Sequence, residues 1–173
     1  MATGKKVFLV VYVILILFWG GVIYKLSSMN SNNSNSSSTG IIGNFIEDSV
    51  KVTNKAGLSN SHPNESKIDK TSKLLNAPLR KVMHATVYFI LAIMIILFIT
   101  VMQEKKKYFL ALLITIVICF LFACTDEYHQ TFVGGRTGQF KDVLIDTSGA
   151  LAGTLLYGTY FIAYKIGTKS KKY

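Results

Sequence analysis

Four apolar blocks constrain this chain more than anything else in it: residues 7–26, 82–102, 108–125 and 143–164. Each comes close to or exceeds the roughly 20 residues of helix needed to cross a hydrocarbon layer. None contains proline, and only the last carries an acid in its first turns, Asp146. A bilayer core offers the backbone no hydrogen-bond partners, so these blocks must satisfy their own N–H and C=O groups as helices. The expected fold class is all-α, a polytopic membrane protein with four transmembrane helices and a long extracytoplasmic loop after the first. Composition agrees: the 173 residues are 50% hydrophobic and only 16% charged.

The net charge of +10 invites a nucleic-acid reading, but its distribution argues against one. Lys5 and Lys6 precede the first block. Lys105, Lys106 and Lys107 fill the short gap between the second and third, and Lys165, Lys169, Lys171 and Lys172 follow the last. With four crossings, all three clusters fall on one side of the membrane. This is the positive-inside pattern, and it places both termini in the cytoplasm of a multi-pass cell-membrane protein. The expected partner is the bilayer, with no nucleic acid.

Three regions follow in order. Residues 1–26 read as an uncleaved transmembrane anchor, since no small-x-small cleavage site follows Tyr24. Residues 27–79 read as an extracytoplasmic linker. It opens on a Ser/Asn tract with nothing to bury, expected to be flexible. Ile41, Ile42, Phe45, Ile46 and Val50 then recur at helical spacing, as in an amphipathic helix lying on the outer membrane surface or capping the bundle. The polar stretch from 53 to 73 includes Pro63, and Pro78 suits the opening turn of the second span. Residues 80–173 form the remaining three-helix core with its basic tail. Cys119 and Cys124 lack zinc-ligand spacing and read as small core residues.

Between the third and fourth blocks, residues 126–146 crowd Asp126, Glu127, His129, Gln130, Arg136, Asp142 and Asp146 together. Ionisable groups at a bilayer edge are costly, so they need partners or a task. Asp142, Asp146, Gly149 and Gly153 fall on one helical stripe, and the small-xxx-small pair Gly149/Gly153 lets a neighbouring backbone come close. Both aspartates should therefore face the bundle. At the start of the second block, Lys81, His84 and Tyr88 share a face. Alternating crossings bring that start, the end of the third block and the start of the fourth to one level in the outer leaflet. Asp146 is expected about 6 Å deeper than Asp142. The candidate catalytic residues are His84, Glu127, Asp142 and Asp146, and the candidate substrate-binding residues are Arg80, Lys81, Gln130 and Arg136.

Two segments carry a family resemblance. Arg80-Lys81-Val82-Met83-His84-Ala85-Thr86-Val87-Tyr88 resembles the Arg-Lys-x-x-His-x-x-x-Tyr signature of VanZ-like membrane proteins, and residues 126–150 resemble that family's second signature. Leu26-Ser27-Ser28 is similar to a Phe-Ser-Ser element after the first span in many members. This chain departs in having Gly134 where proline is usual, and Ala85-Thr86 where phenylalanine is common. The resemblance implies four transmembrane helices and an association with glycopeptide (teicoplanin) resistance at the Gram-positive cell envelope. It points to Lys81, His84, Glu127, Gln130, Arg136, Asp142 and Asp146 as shared polar residues.

Three readings of the cluster stand side by side. In the first, it binds an anionic, membrane-anchored envelope intermediate, with Arg136 as the bidentate phosphate ligand. In the second it is an intramembrane enzyme on phosphorylated lipid-linked glycans. His84 would then be the general acid/base, oriented by Glu127 or Asp142, and the only cofactor in view would be a divalent cation among the acids. In the third it is an ion-pair network that pins the helices, with Arg136 and Asp142 as one pair.

Overall fold

The computed structural model describes residues 3–29, 31–57, 65–103 and 107–170. These residues form five helices and no strand: α1 (Thr3–Ser27), α2 (Ser31–Lys55), α3 (Glu65–Met102), α4 (Tyr108–Gln130) and α5 (Phe140–Ser170). Pro63, Lys105, Lys106, Lys171 and Lys172 lie outside the described residues.

Three helices are long and apolar enough to cross a membrane, with spans at Lys6–Ser27, Ser66–Met102 and Tyr108–Gln130. Their outward faces are bare: Val7, Leu17, Phe18, Phe109 and Leu121 are all more than half exposed. Apolar faces this extensive belong in hydrocarbon or against a partner, not in water. The expected fourth span, α5, is not among the three. Its apolar run is interrupted by Thr147, Gly149, Gly153, Thr154, Gly158 and Thr159. Those interruptions are where it packs: Gly149, Gly153, Thr154 and Gly158 are buried.

The packing of α5 on α3 sets the register of the whole bundle. A Cβ on Gly149 would collide with the backbone of Ala85, and one on Gly153 with the backbone of Phe89. The two helices therefore run parallel in near contact, as small residues permit. Lower down, the Tyr157 hydroxyl lies 2.9 Å from Thr100 Oγ1. Helix α4 runs antiparallel to both, and its Tyr108 hydroxyl donates to Thr154 O at 2.7 Å. Tyr88, Leu91, Ala92, Ile95, Cys119, Ala123, Val143 and Ala150 fill the space between them. Cys119 is buried and both cysteines are free, as core residues should be. Helix α1 joins through Ile23 and through Trp19, whose indole N–H donates to Val87 O at 3.0 Å.

The segment after the first span differs from expectation. The Ser/Asn tract is not a flexible linker: from Ser31 it is helix, and α2 packs antiparallel on the first half of α3. Small polar residues are poor helix formers because their side chains compete for the backbone. Here tertiary contacts outweigh that preference. Asn76 donates to Asn35 Oδ1 at 3.2 Å and Ser38 donates to Asn76 Oδ1. Gly43 lies close against Ser72 and Ile68, and Ile42 and Ser72 are buried. Thr39, Ser49 and Thr53 turn their hydroxyls back onto carbonyls four residues earlier, which satisfies them without breaking the helix. Ile42 is thus buried, while Ile41 and Phe45 stay exposed.

Helix α3 also begins earlier than expected, at Glu65, so Pro78 lies inside it rather than in its opening turn. Contacts with α2 on the preceding turns hold the helix together where proline removes a backbone bond. At 38 residues, α3 is about 57 Å long against about 30 Å of hydrocarbon. Its first turns and α2 thus form a polar hairpin standing beyond the apolar zone.

Candidate functional site

The register of α3, α4 and α5 brings their polar residues together where the apolar zone ends. Along the α3–α5 seam, Lys81 meets Asp142 with Nζ–Oδ1 at 3.6 Å, and His84 meets Asp146 with Nδ1–Oδ2 at 3.7 Å. The next steps down that stripe are Ala85 on Gly149 and Phe89 on Gly153. Because the glycines remove the side chains that would separate the helices, the acids one and two turns above are drawn onto α3.

The end of α4 closes the third side. Gln130 Nε2 donates to Glu127 Oε1 at 3.0 Å and reaches Asp126 Oδ2 at 3.4 Å. The other oxygen of Glu127 accepts the backbone N–H of Gln139 at 2.9 Å, which ties the start of α5 to the end of α4. The loop between them turns at Gly135, whose φ of 76° suits glycine. It then passes so close to α4 at Gly138 that a Cβ there would strike Glu127 O. This turn returns Arg136 over the site, where its Nη1 donates to Gln130 Oε1 at 3.2 Å. From the far side, Arg80 Nη1 donates to Asn35 Oδ1 on α2 at 3.0 Å.

The result is a cleft of about 240 Å³ lined by all eight candidate residues: Arg80, Lys81, His84, Glu127, Gln130, Arg136, Asp142 and Asp146. Lys141, which the sequence puts at the same level, does not line it. The pairing inside the cleft corrects two expectations. His84 faces Asp146, not Glu127 or Asp142, because the Gly149 contact fixes α5 one turn further along. Arg136 does not pair with Asp142, whose ion-pair partner is Lys81.

Among the described residues neither Arg80 nor Arg136 has a carboxylate within ion-pair distance; both lean on neutral amides. Burial and, after it, the like charge of Arg80 hold the Arg136 guanidinium below its ordinary range, while Asp126 and Glu127 act the other way. The Nε of Arg136 is buried without a hydrogen-bond partner. Both guanidiniums thus enter one cleft with neutral amides as their direct hydrogen-bond partners, a chemistry compatible with an anion.

Several residues beyond the predicted set belong to the site. Asp126 is 3% exposed, nearly as buried as the predicted Asp146, and Tyr88 is wholly buried behind them. Ser27 stands beside Asp126, though neither Ser27 Oγ nor Asp126 Oδ1 meets a partner in hydrogen-bond geometry. Next to it, Ser28 Oγ lies 3.1 Å from His129 Nε2, and that imidazole stacks on Tyr24 with centroids 4.3 Å apart. The short Leu26-Ser27-Ser28 element is the signal that could have placed α1 at the cleft. A second, apolar groove of about 250 Å³ opens beside the first, lined by Ile23, Leu26, Ile41, Met83 and Val87, and it shares Arg80, His84 and Arg136 with the polar cleft.

Lipid-length helices with bare apolar outsides, converging at one end on buried acids and two arginines bonded to neutral amides, define a helical membrane protein with a polar site at the edge of its apolar zone. A family model described as VanZ/LLP1 matches residues 9–162, most of the chain and all of the cleft. The protein belongs to the VanZ-like family. Comparison with curated proteins and with solved structures found no match.

Proposed function

We propose that this protein crosses the cell membrane four times with both termini cytoplasmic, and binds an anionic, membrane-anchored envelope intermediate in its outward-facing cleft. Through that binding it influences glycopeptide (teicoplanin) susceptibility, the association that its family resemblance carries. On this reading α5 is the fourth crossing, and the α2–α3 hairpin is the extracytoplasmic segment.

The observation that carries the reading is the pair Arg80 and Arg136, which share one cleft with only neutral amides as partners. A phosphate would accept the planar fork of Arg136 and neutralise both charges. The adjoining apolar groove, which meets the cleft at these same arginines, suits the hydrocarbon part of such a ligand. The test is binding of a polyprenyl phosphate, or of phosphatidylglycerol, to purified protein in detergent. Arg136→Ala should weaken binding roughly tenfold to a hundredfold, the loss expected for charge-assisted hydrogen bonds worth about 1.5–3 kcal/mol. Equal affinity for wild type and variant overturns the proposal.

A second reading is favoured by one specific contact. His84 beside the fully buried Asp146 is an imidazole oriented by a carboxylate, the arrangement of a general acid/base acting on phosphorylated lipid-linked glycans. In cells, His84→Ala then abolishes the susceptibility phenotype while leaving lipid binding by the purified protein intact. A phenotype that survives the substitution excludes this reading.

A further inference from the structure

Below the arginine level, His84 and Asp146 at the inner end of the cleft and Asp126 buried behind it form a group of donors that the anion reading does not use. His84 from α3, Asp126 from α4 and Asp146 from α5 each present one ligand atom, and these atoms lie within 4.8 Å of one another. The two carboxylates are almost completely buried. Both oxygens of Asp146 and Oδ1 of Asp126 lack a hydrogen-bond partner. The phenol of Tyr88, a residue outside this trio, is also fully buried and unpartnered, within electrostatic reach of both aspartates. Its sequence neighbour on the same helical face is His84. Buried polar atoms left open in this number call for an occupant. Two carboxylates beside one imidazole also require a positive charge to sit together out of water.

We infer that His84, Asp126 and Asp146 form a site for one divalent first-row cation, of the Mn2+ or Zn2+ type. One nitrogen and two carboxylate oxygens are a donor set for such ions, and a 2+ charge cancels both aspartates. Ligand bonds of about 2.0–2.2 Å require the three groups to close in slightly from their present spacing. The Tyr88 hydroxyl is placed to hold a water on the ion or to bond to a ligating carboxylate. The ion would then join α3, α4 and α5 at one level. This site does not depend on the lipid reading.

The test uses the full chain in detergent, stripped with EDTA, desalted, and titrated with MnCl2 or ZnCl2. Wild type is expected to take up one ion per chain by elemental analysis, with a bound-Mn2+ signal by electron paramagnetic resonance and a raised melting temperature. Asp146→Asn and Asp126→Asn should each weaken binding by more than about a hundredfold, beyond what loss of an outer partner brings. Asp69→Asn, an exposed acid on the first half of α3 paired with Lys73, should keep the ion. Wild type that binds no stoichiometric ion, or an ion that survives Asp146→Asn, overturns the inference. If the aspartate variants fail to fold, the wild-type melting curve decides: no rise with either ion also overturns it. Lipid binding measured in chelator with Arg136→Ala reports separately, so failure of the ion site leaves the anion reading standing.

Discussion

At the level of single residues, the site is controlled as much by what is missing from Gly149 as by any charged group. Its absent side chain lets Ala85 reach α5, and that contact sets which acid faces His84. Gly149→Ala should therefore lower stability by about 1–3 kcal/mol, the cost of overpacking a close contact, and should separate His84 from Asp146. Gly21→Ala, where a new Cβ meets nothing within 4 Å, should leave melting unchanged. Thermal unfolding in detergent compares the two, and equal melting would contradict the assigned register. Which residues face the bundle was legible from sequence: the stripe of Asp142, Asp146, Gly149 and Gly153 lies on α3 as its spacing predicts. Which residue meets which was not. Helical periodicity fixes a face, whereas the offset between two helices is decided by close packing that one sequence does not display. For that reason the partner of His84 was expected to be Glu127 or Asp142, and that of Arg136 to be Asp142.

Among the elements, α2 departs furthest from its sequence. A tract of serine and asparagine has low intrinsic helicity, and nothing in its composition reveals that Asn35 will accept from both Asn76 and Arg80. Its helix is imposed by α3. Asn35→Ala should then raise amide hydrogen exchange across α2, at a cost of about 1 kcal/mol for the lost bonds, while α4 keeps its protection. Fast exchange through Ser31–Lys55 in the wild type would show that the tract is a flexible linker after all. Helix α5 is the opposite case. The apolar block at 143–164 lies within a longer helix, Phe140–Ser170, and its glycines and threonines, which pack on α3 and α4, keep its most apolar stretch below those of α1, α3 and α4. Signals for lipid contact and for helix contact pull its composition in different directions.

Across the whole molecule, three helices from separate parts of the chain bring their ionisable ends to one level, and α1 lines the adjoining apolar groove with Ile23 and Leu26. That convergence followed from alternating direction alone, which is why the eight candidate residues could be named without coordinates. The contribution of Asn35 could not, since it depends on the α2–α3 hairpin, whereas Ser27 had a signal in the Leu26-Ser27-Ser28 element. Arg80 and Arg136 stand above the buried Asp126 and Asp146, with an apolar groove alongside. The most direct measurement is an experimental structure determined with a polyprenyl phosphate bound. Phosphate oxygens are expected within hydrogen-bond distance of Arg80 and Arg136, with the lipid chain lying along Ile23 and Val87. A phosphate seated elsewhere, with the two arginines turned to carboxylates of the protein itself, would contradict it.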